Sequence, residues 1–327
     1  MKCGAIRSIT GSIITAEKGG DVNPGSRSGA GNRIWQGLRS RFLAENVKFK
    51  EYRTCYRGHA GRIAFSITAP SVWKEEDLLV VIGGDGTVNE VVTGIRQLQK
   101  VTVGYIPSGS GNDFARGLQI PSDAEKAAEL LRTGKPVAID VGRVHTGGKI
   151  RRFVISSGIG FDASICHEAL SSPIKNVLNF LHLGKMTYIA IALRQLLSFR
   201  DFPMEFRLEN GRKITFRRVL FAAAMNMECE GGGVKFCPDA DWADGNMDWI
   251  IVEGMARWKR LALFLLAVLG KHTGFREVHI CRARTATLKT DRRLPVHMDG
   301  ESGGLQEQMT VTVEPEQLRV LSGYLPY

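Results

Sequence analysis

The sequence predicts an α/β fold with an N-terminal three-layer α/β domain followed by a mostly antiparallel, β-sandwich-like second domain. Between residues 78 and 132, short apolar runs alternate with segments of helical spacing, which favours a parallel sheet covered by helices on both faces. After Pro136 the pattern changes to many short strands, with a hairpin signal at Asn210-Gly211. A chain of 327 residues is also long enough for two domains.

The change of pattern near Gly134–Pro136 sets the predicted boundary. We expect a first domain over residues 1–136 and a β-rich second domain over residues 137–314, with residues 315–327 packing back on the first. A polar stretch, Ala16–Asp21, separates the early isoleucines from the Asn23-Pro24 turn. For the first ~20 residues, a short irregular strand and disorder therefore both stay open.

The predicted elements follow from local patterns. Leu78–Ile82 is a short β-rich apolar run, typical of a strand that is buried on both faces. In the first domain we also predict a strand at Val101–Ile106 and helices at Asn32–Glu45, Thr87–Leu98, Phe114–Gly117 and Ala124–Arg132. In the second we predict helices at Leu178–Ser198 and Trp258–Leu269 and strands at Val137–Val144, Arg152–Ser157, Met204–Leu208, Lys213–Ala224, Met247–Val252, Arg284–Leu288 and Met309–Val313.

The composition narrows the class of protein. Forty-four Lys and Arg against 33 Asp and Glu leave a net charge of +11, which favours an acidic partner: phosphate, nucleic acid or an anionic membrane surface. The longest apolar run, Leu261–Leu269, is far shorter than the ~20 residues of a membrane-spanning helix. The first residues lack the apolar stretch of a secretory signal. The six cysteines contain no CxxC pair, which predicts reduced thiols in a cytosolic protein.

The segment Gly83–Thr87 (GGDGT) follows a buried strand and opens a helix. Glycines there let backbone amides approach a ligand, and the helix N-terminus adds positive partial charge, so we predict a phosphate-binding loop. The structural alternative is a capping box between Thr87 and Glu90. No Gly-Lys-Ser/Thr follows, which excludes a Walker A loop.

A second glycine-rich loop, within Pro107–Gly117, lacks the third glycine of the dinucleotide-binding fingerprint. Its small residues suit phosphate oxygens, although Asn112 as a simple helix N-cap is an alternative. Loops on successive strand–helix units should lie side by side at the carboxyl ends of the strands. Asp85 and Asp113 would then be close together, where Mg²⁺ can bridge them to a phosphate.

Together, Gly83–Gly94 (GGDGTVNEVVTG) and Pro107–Leu118 (PSGSGNDFARGL) resemble the diacylglycerol kinase catalytic-domain family of lipid kinases, in its bacterial branch. GGDGT is shared with NAD kinases and phosphofructokinases, whereas the second segment is much more specific. The resemblance covers nearly the whole chain. It implies a nucleotide-binding first domain, a lipid-binding second domain and an ATP- and Mg²⁺-dependent kinase that phosphorylates diacylglycerol or a related lipid alcohol.

The resemblance also implies roles for single residues. Asp85 and Asp113 would organise Mg²⁺ at the active centre, and Asp299 and Glu301 match a pair that activates the lipid hydroxyl. The nucleotide pocket would comprise Asn23, Pro24, Gly25, Ser26, Arg27, Thr54, Gly83, Gly84, Asp85, Gly86, Thr87, Val88, Asn89, Glu90, Ser110, Asn112 and Asp113. A structural cation would bind at Asp241, Asp244 and Asn246; a solvated acidic turn without an ion is the alternative.

The pair in the DGE segment can also be judged from the residues alone. In an extended segment, Asp299 and Glu301 face the same side with Gly300 between them, so one carboxylate can accept a hydroxyl proton while the other assists. The alternative is a surface turn, because Asp-Gly is a common hairpin dipeptide. The residues alone leave these two interpretations even.

Three other functions stay open: a sphingoid-base kinase, an NAD kinase-like enzyme, and a basic nucleic-acid-binding protein without enzymatic activity. The second glycine segment argues against an NAD kinase, and a nucleic-acid-binding protein would leave both loops unused. We expect ATP and a lipid alcohol at an anionic membrane surface as partners, and no nucleic acid; a homodimer stays open. The expected location is cytoplasmic and peripheral, on the inner face of the membrane, since each surface Lys or Arg adds up to ~1 kcal/mol of attraction there.

Overall fold

The computed structural model describes residues 10–16, 30–171 and 194–323. They divide into two compact units: one contains the described residues up to Ile139 and from Glu316 onwards, and the other contains those from Asp140 to Pro315. The fold is mixed α/β, with a mainly parallel sheet in the first unit and an antiparallel sheet in the second. The predicted fold class is therefore confirmed.

Strands and helices are numbered along the described chain. The strands are Thr10–Ala16 (β1), Lys48–Thr54 (β2), Leu78–Gly83 (β3), Thr102–Pro107 (β4), Lys135–Ile139 (β5), Gly142–Thr146 (β6), Lys149–Phe153 (β7), Ser156–Gly160 (β8), Phe202–Leu208 (β9), Lys213–Met225 (β10), Met247–Glu253 (β11), Val278–Ala283 (β12), Thr285–Met298 (β13), Glu301–Val313 (β14) and Leu318–Ser322 (β15). The helices are Ala30–Ala44 (α1), His59–Ile67 (α2), Asp85–Gly94 (α3), Asp113–Gly117 (α4), Ala124–Thr133 (α5), Phe161–Ser171 (α6) and Arg257–Val268 (α7). A short helical stretch covers residues 194–198.

The sheet of the first unit has the order β2-β1-β3-β4-β15-β5, with only the β15–β5 pair antiparallel among its described strands. All six residues of β3 are buried, as a central strand covered on both faces requires. Strand β1 lies between β2 and β3, and its Ile13 is buried. Disorder is therefore wrong for Thr10–Ala16. The Asn23–Arg27 turn lies outside the described residues.

Helix α3 differs from its prediction at both ends. It begins at Asp85, two residues earlier than expected, and ends at Gly94, four residues before Leu98. The early end coincides with a close crossing of α2 and α3: a Cβ on Gly94 would collide with the backbone of Gly61. Only glycine permits this backbone contact.

The second unit holds a sheet of order β12-β11-β10-β8-β13-β14-β6-β7, and β9 pairs with both β10 and β13. The strands β10, β8, β13 and β9 therefore close into a ring. Apolar side chains fill it, including Phe206 and Trp249, while alternate residues of β10 and β11 pack on the opposite face. Two buried faces explain why β11 and the part of β10 from Val219 to Met225 are almost continuously apolar.

Two predicted strands are each interrupted. Val137–Val144 divides into β5 in the first unit and β6 in the second, on either side of Asp140. Asp140 is buried; its carboxylate accepts from the Gly245 amide (2.7 Å) and its carbonyl from the Asn226 side chain (2.8 Å). Arg152–Ser157 divides in the same way at Val154 and Ile155. Most of the predicted helix Leu178–Ser198 lies outside the described residues.

A buried ion pair anchors α7. The Arg260 guanidinium contacts the Asp201 carboxylate at 2.6 Å and donates to the carbonyls of Met255, Leu196 and Phe199, so its donors are satisfied inside the unit. Asp201 also accepts from Arg218 at 2.8 Å, but that side chain is 65% exposed. Among the described residues, no helix has both the length and the apolar character to cross a bilayer.

Replacing Arg260 by Met should lower the free energy of unfolding by about 3–5 kcal/mol, because it leaves the Asp201 charge buried with less compensation. The matched control is Arg218→Met, which removes an exposed partner of the same carboxylate and should cost less than about 1 kcal/mol. Urea unfolding monitored by circular dichroism measures both. Equal losses for the two variants would contradict the role assigned to the buried pair.

Candidate functional site

Two glycine-rich loops lie in contact in the first unit. One covers residues 83–85 between β3 and α3, and the other covers residues 108–112 between β4 and α4. Strands β3 and β4 are parallel neighbours whose last residues pair in register, so both loops leave the same sheet edge. The Ser108 amide donates to the Gly83 carbonyl at 2.8 Å. The expected side-by-side arrangement of the loops is therefore present.

The two loops touch through backbone atoms. A Cβ on Gly109 would lie 2.8 Å from the Cα of Gly84, and a Cβ on Gly84 would lie 3.3 Å from the Cα of Gly109. Carbon atoms do not approach to 2.8 Å without displacement of the backbone, so the contact between the loops requires glycine at position 109. At Gly84 the 3.3 Å approach is tight and would need the neighbouring loop to shift by a few tenths of an ångström.

Asp85 ties the first loop to the second. Its Oδ2 accepts from the Asp113 amide at 3.1 Å and its Oδ1 from the Phe114 amide at 3.3 Å. These amides open the short helix α4, so the carboxylate of one loop caps the helix of the next. The Asp113 carboxylate is buried and pairs with Arg116. The structure thus brings Asp85 and Asp113 together, with the Asp85 carboxylate directed at the backbone amide of Asp113.

Asn112 stabilises the second loop from inside. It has a left-handed backbone (φ 54°), and its side chain makes two 3.1 Å hydrogen bonds with the Gly109 backbone, accepting at Oδ1 and donating from Nδ2. It occupies the N-cap position of α4, but Asp85 provides the capping oxygens. The interpretation of Asn112 as a simple N-cap is therefore wrong.

A buried tyrosine, Tyr105, holds the first glycine loop by a hydrogen bond. The Tyr105 hydroxyl donates to the Gly83 carbonyl at 3.0 Å. Burial raises the pKa of Tyr105 well above its usual range, and the charges of Asp85 and Asp113 raise it further. The hydroxyl therefore remains a donor at any physiological pH.

The capping box between Thr87 and Glu90, the structural alternative to the phosphate-binding loop, does not form. The N-cap of α3 is Gly84, and the Glu90 carboxylate instead accepts from the amides of Gly58 (2.7 Å) and Ala60 (3.2 Å) at the start of α2. Gly58 has φ 84°, which leaves these amides open to a partner from another element. Thr87 packs over Gly83, where a Cβ would lie 2.6 Å from its Oγ1.

The other residues predicted for the nucleotide pocket differ in exposure. Gly84, Gly86 and Thr87 are partly exposed and Ser110 is exposed, whereas Val88 and Asn89 are buried. Thr54 is buried at the end of β2, paired with Ala16. Asn23, Pro24, Gly25, Ser26 and Arg27 lie outside the described residues.

In the second unit, Asp299 and Gly300 form a two-residue turn between β13 and β14, with φ values of 48° and 78° and Met298 paired to Glu301. The extended segment predicted from the residues is therefore wrong, but the turn is not a surface turn either. Asp299 is 7% exposed, and its carboxylate accepts from the amides of Val154 (2.9 Å), Ile155 (2.8 Å) and Ser156 (3.0 Å).

Those three amides interrupt the strand predicted over Arg152–Ser157. They point at one carboxylate instead of at a neighbouring strand, which separates β7 from β8. The cradle fixes Asp299 in position: Oδ1 accepts from all three amides, and Oδ2 also accepts from the Val154 amide.

A buried histidine that the sequence analysis did not consider lies two residues before Asp299. The Nε2 atom of His297 is 3.1 Å from the Asp162 carboxylate and 3.2 Å from the Glu230 carboxylate. Burial lowers its pKa, but the charges of Glu230, Asp162 and Asp299 outweigh burial and raise the pKa of His297 to about 9. Its position two residues before Asp299 in the sequence was the available signal.

Glu301 belongs to the same neighbourhood. Burial raises the pKa of the Cys166 thiol well above its usual range, and the carboxylates of Glu230, Asp162 and Glu301 raise it further. The structure thus gathers one imidazole, one thiol and several carboxylates around the end of β13.

The acidic turn proposed for a structural cation is held by hydrogen bonds. Asp244 accepts from the Asn246 amide at 2.9 Å, and Asp241 accepts from the Ala243 amide at 3.0 Å. Arg282 lies 3.6 Å from Asp244 and 3.0 Å from the buried Asp248, a residue that the sequence analysis did not select. A guanidinium therefore already supplies positive charge beside this turn.

Comparison with known proteins agrees with this arrangement. Residues 22–144 match the family model described as "Diacylglycerol kinase catalytic domain", and residues 159–322 match "YegS C-terminal NAD kinase beta sandwich-like domain". The chain is 30% identical to "Putative lipid kinase YtlR" of Bacillus subtilis over 91% of this chain and 97% of that protein. It is 30% identical to a diacylglycerol kinase of Mycobacterium tuberculosis, over 86% and 87% of the two chains.

A solved structure shares the fold. A putative diacylglycerol kinase from Bacillus anthracis superposes with a TM-score of 0.71 at 21% identity, covering 96% of this chain and 97% of that one. The fold and the matches define a kinase. More narrowly, the chain belongs to the diacylglycerol kinase catalytic-domain family of lipid kinases.

Replacing Gly109 by Ala should separate the two loops, because its Cβ would meet the Gly84 backbone. We expect the KM for ATP to rise about tenfold or more, because the loops predicted to bind the phosphates would no longer be held in contact. Steady-state kinetics with varied ATP measures the change. The control is Gly37→Ala in α1, where a Cβ meets no atom within 4 Å; it should keep KM and add about 0.5–1 kcal/mol of stability. An unchanged KM in a folded Gly109→Ala variant would contradict this assignment.

Proposed function

We propose that this kinase transfers the γ-phosphate of ATP to the hydroxyl of diacylglycerol or a related lipid alcohol, with Mg²⁺. The observation that carries the proposal is the contact between the two glycine loops, which Asp85 ties together at the carboxyl edge of parallel strands. Open α/β sheets bind ligands at this edge, and helix α3 directs its N-terminus towards it.

In this proposal the partly exposed atoms of the loops bind the phosphates. The amides of Gly84 and Gly86 and the hydroxyls of Thr87 and Ser110 are donors of the kind that phosphate oxygens accept. The buried Val88 and Asn89 and the α2-binding Glu90 support the loop from within. Phosphoryl transfer depends chiefly on such positioning and on neutralisation of charge.

The residues that would hold Mg²⁺ are Asp85 and Asp113. Carboxylate oxygens are the ligands that a hard cation prefers, and Asp85 lies directly beside Asp113 at this sheet edge. Bound Mg²⁺ would neutralise developing charge on the phosphates. A second, structural cation at Asp241, Asp244 and Asn246 remains part of the proposal, with Arg282 as its competitor for Asp244.

Asp299 would act as the general base. Its Oδ2 takes the proton of the lipid hydroxyl while the hydroxyl oxygen bonds to the γ-phosphorus and the bond to the β,γ-bridging oxygen breaks, which releases ADP. The amide cradle keeps the carboxylate in one orientation during this step. Glu301, beside the same turn, would assist by orienting the hydroxyl.

The test is transfer of labelled phosphate from ATP to a panel of acceptors: diacylglycerol, monoacylglycerol, sphingosine and NAD. Wild type should label diacylglycerol or a related lipid alcohol. Asp299→Asn should lower kcat at least about 100-fold, the usual contribution of a general base. The control is Asp291→Asn, which alters a half-exposed carboxylate on β13, the strand before Asp299, and should retain activity.

Two results would overturn parts of the proposal. If Asp299→Asn keeps the wild-type kcat, Asp299 is not the general base. Labelling of NAD or of sphingosine, without labelling of any glycerolipid, would show that the protein is an NAD kinase or a sphingoid-base kinase instead.

We further propose that the enzyme works peripherally, at the inner face of an anionic membrane. One side of α7 carries an exposed apolar stripe at helical spacing, formed by Trp258, Leu261, Leu265 and Val268. The first turn of α7 borders an open pocket of about 520 Å³. Its lining includes Arg200, Arg218 and Arg257. Apolar side chains beside clustered arginines suit an anionic lipid surface.

The double variant Trp258→Ala/Leu265→Ala should bind vesicles of anionic phospholipid at least about tenfold more weakly, because each large apolar side chain contributes roughly 1.5–3 kcal/mol when buried. Cosedimentation measures the binding. The control, Val72→Ser, changes another exposed apolar residue and should bind as wild type. Equal binding by the double variant would exclude this face of α7 as the docking surface.

A further inference from the structure

We propose that Cys166, Glu230 and His297, with Asp162 beside them, form a binding site for a transition-metal ion of the zinc type in the second unit. This site is separate from the Mg²⁺ sites considered above and does not depend on the proposed substrate. Thiolate and imidazole ligands select zinc-like ions, whereas Mg²⁺ prefers oxygen ligands.

The spacing of the donor atoms fits one ion. The Cys166 Sγ, a Glu230 carboxylate oxygen and a His297 ring nitrogen all lie within 4.8 Å of one another. His297 Nε2 is 3.2 Å from Glu230 and 3.1 Å from Asp162. Ligands about 2.0–2.3 Å from a tetrahedral zinc ion are themselves roughly 3.3–3.7 Å apart, so small adjustments would admit the ion.

Three separate elements converge to make this group. Asp162 and Cys166 are four residues apart on α6 and so occupy one face of that helix. His297 lies near the end of β13, and Glu230 precedes a run of three glycines. Residues this far apart in sequence meet only through the tertiary fold, which explains why no ligand spacing was visible in the sequence.

A glycine keeps room for the donors. At Gly158, which pairs with His297 across β8 and β13, a Cβ would collide with the Asp162 carboxylate and lie 2.8 Å from His297 Nε2. The backbone at this position therefore makes space for a carboxylate and an imidazole facing each other.

The arrangement around Nε2 also favours an ion. One ring nitrogen faces two buried carboxylates, and a single N–H cannot point directly at both. A metal ion here would replace the Nε2 proton and bind the ring nitrogen and both carboxylates together. The ion would link α6, the end of β13 and the Glu230 turn, and so brace the strand that leads into Asp299.

The test uses the full chain, freed of metal with a chelator and titrated with Co²⁺ alone as a spectroscopic substitute for Zn²⁺. We expect one equivalent to bind with intense visible bands of four-coordinate cobalt and a thiolate-to-cobalt charge-transfer band, both reversed by Zn²⁺ but not by excess Mg²⁺. Cys166→Ser should abolish the charge-transfer band, and Glu230→Gln should weaken binding about tenfold or more.

The control is Cys237→Ser, which alters a buried cysteine elsewhere in the same unit and should keep the full spectrum. Absence of the charge-transfer band in wild type, or its persistence in Cys166→Ser, overturns the proposal. X-ray absorption of zinc-loaded wild type tests the same point without any variant: one sulfur ligand with nitrogen and oxygen supports it, and a shell of nitrogen and oxygen alone overturns it.

Discussion

The carboxylate of Asp85 bonds to two backbone amides 28 and 29 residues further along the chain, and the geometry of the two glycine loops depends on this interaction. The same device recurs twice. Glu90 binds the amides that open α2, and Asp299 binds three amides about 145 residues earlier in the chain. Each carboxylate joins the backbone of two distant segments. Hydrogen bonds to a charged group are stronger than neutral ones, which suits them to this task.

This shared role changes how acidic residues in such motifs should be interpreted. Patterns of neighbouring residues suggest that Asp85 is a metal ligand, that Glu90 caps its own helix and that Asp299 is a catalytic group. The structure shows that all three hold the backbone, and in our proposal Asp85 and Asp299 also take part in the reaction. A loop that must contact phosphate closely can spare few side chains, so its rigidity has to come from its neighbours.

The parts of the fold that could be predicted have strong local patterns. The apolar run of β3, the α7 helix and the antiparallel character of the second unit were all visible in the sequence. Strand β2 was missed because its Lys48–Thr54 sequence alternates charged and aromatic residues, with only one face directed inward. The breaks at Asp140 and at Val154 were missed because their cause, a partner for a buried carboxylate or amide, lies elsewhere in the chain.

In the candidate site, too, some features could be predicted from the sequence and others could not. The sequence by itself determined the two glycine loops, their place after parallel strands and the family to which the chain belongs, because these depend on residue types within about a dozen positions. Only the tertiary structure decided which atoms Asp85, Glu90 and Asp299 contact, and that His297 faces Asp162 and Glu230 in a buried cluster. The physical reason is that a buried polar group must find a partner, and the fold determines which distant segment supplies it.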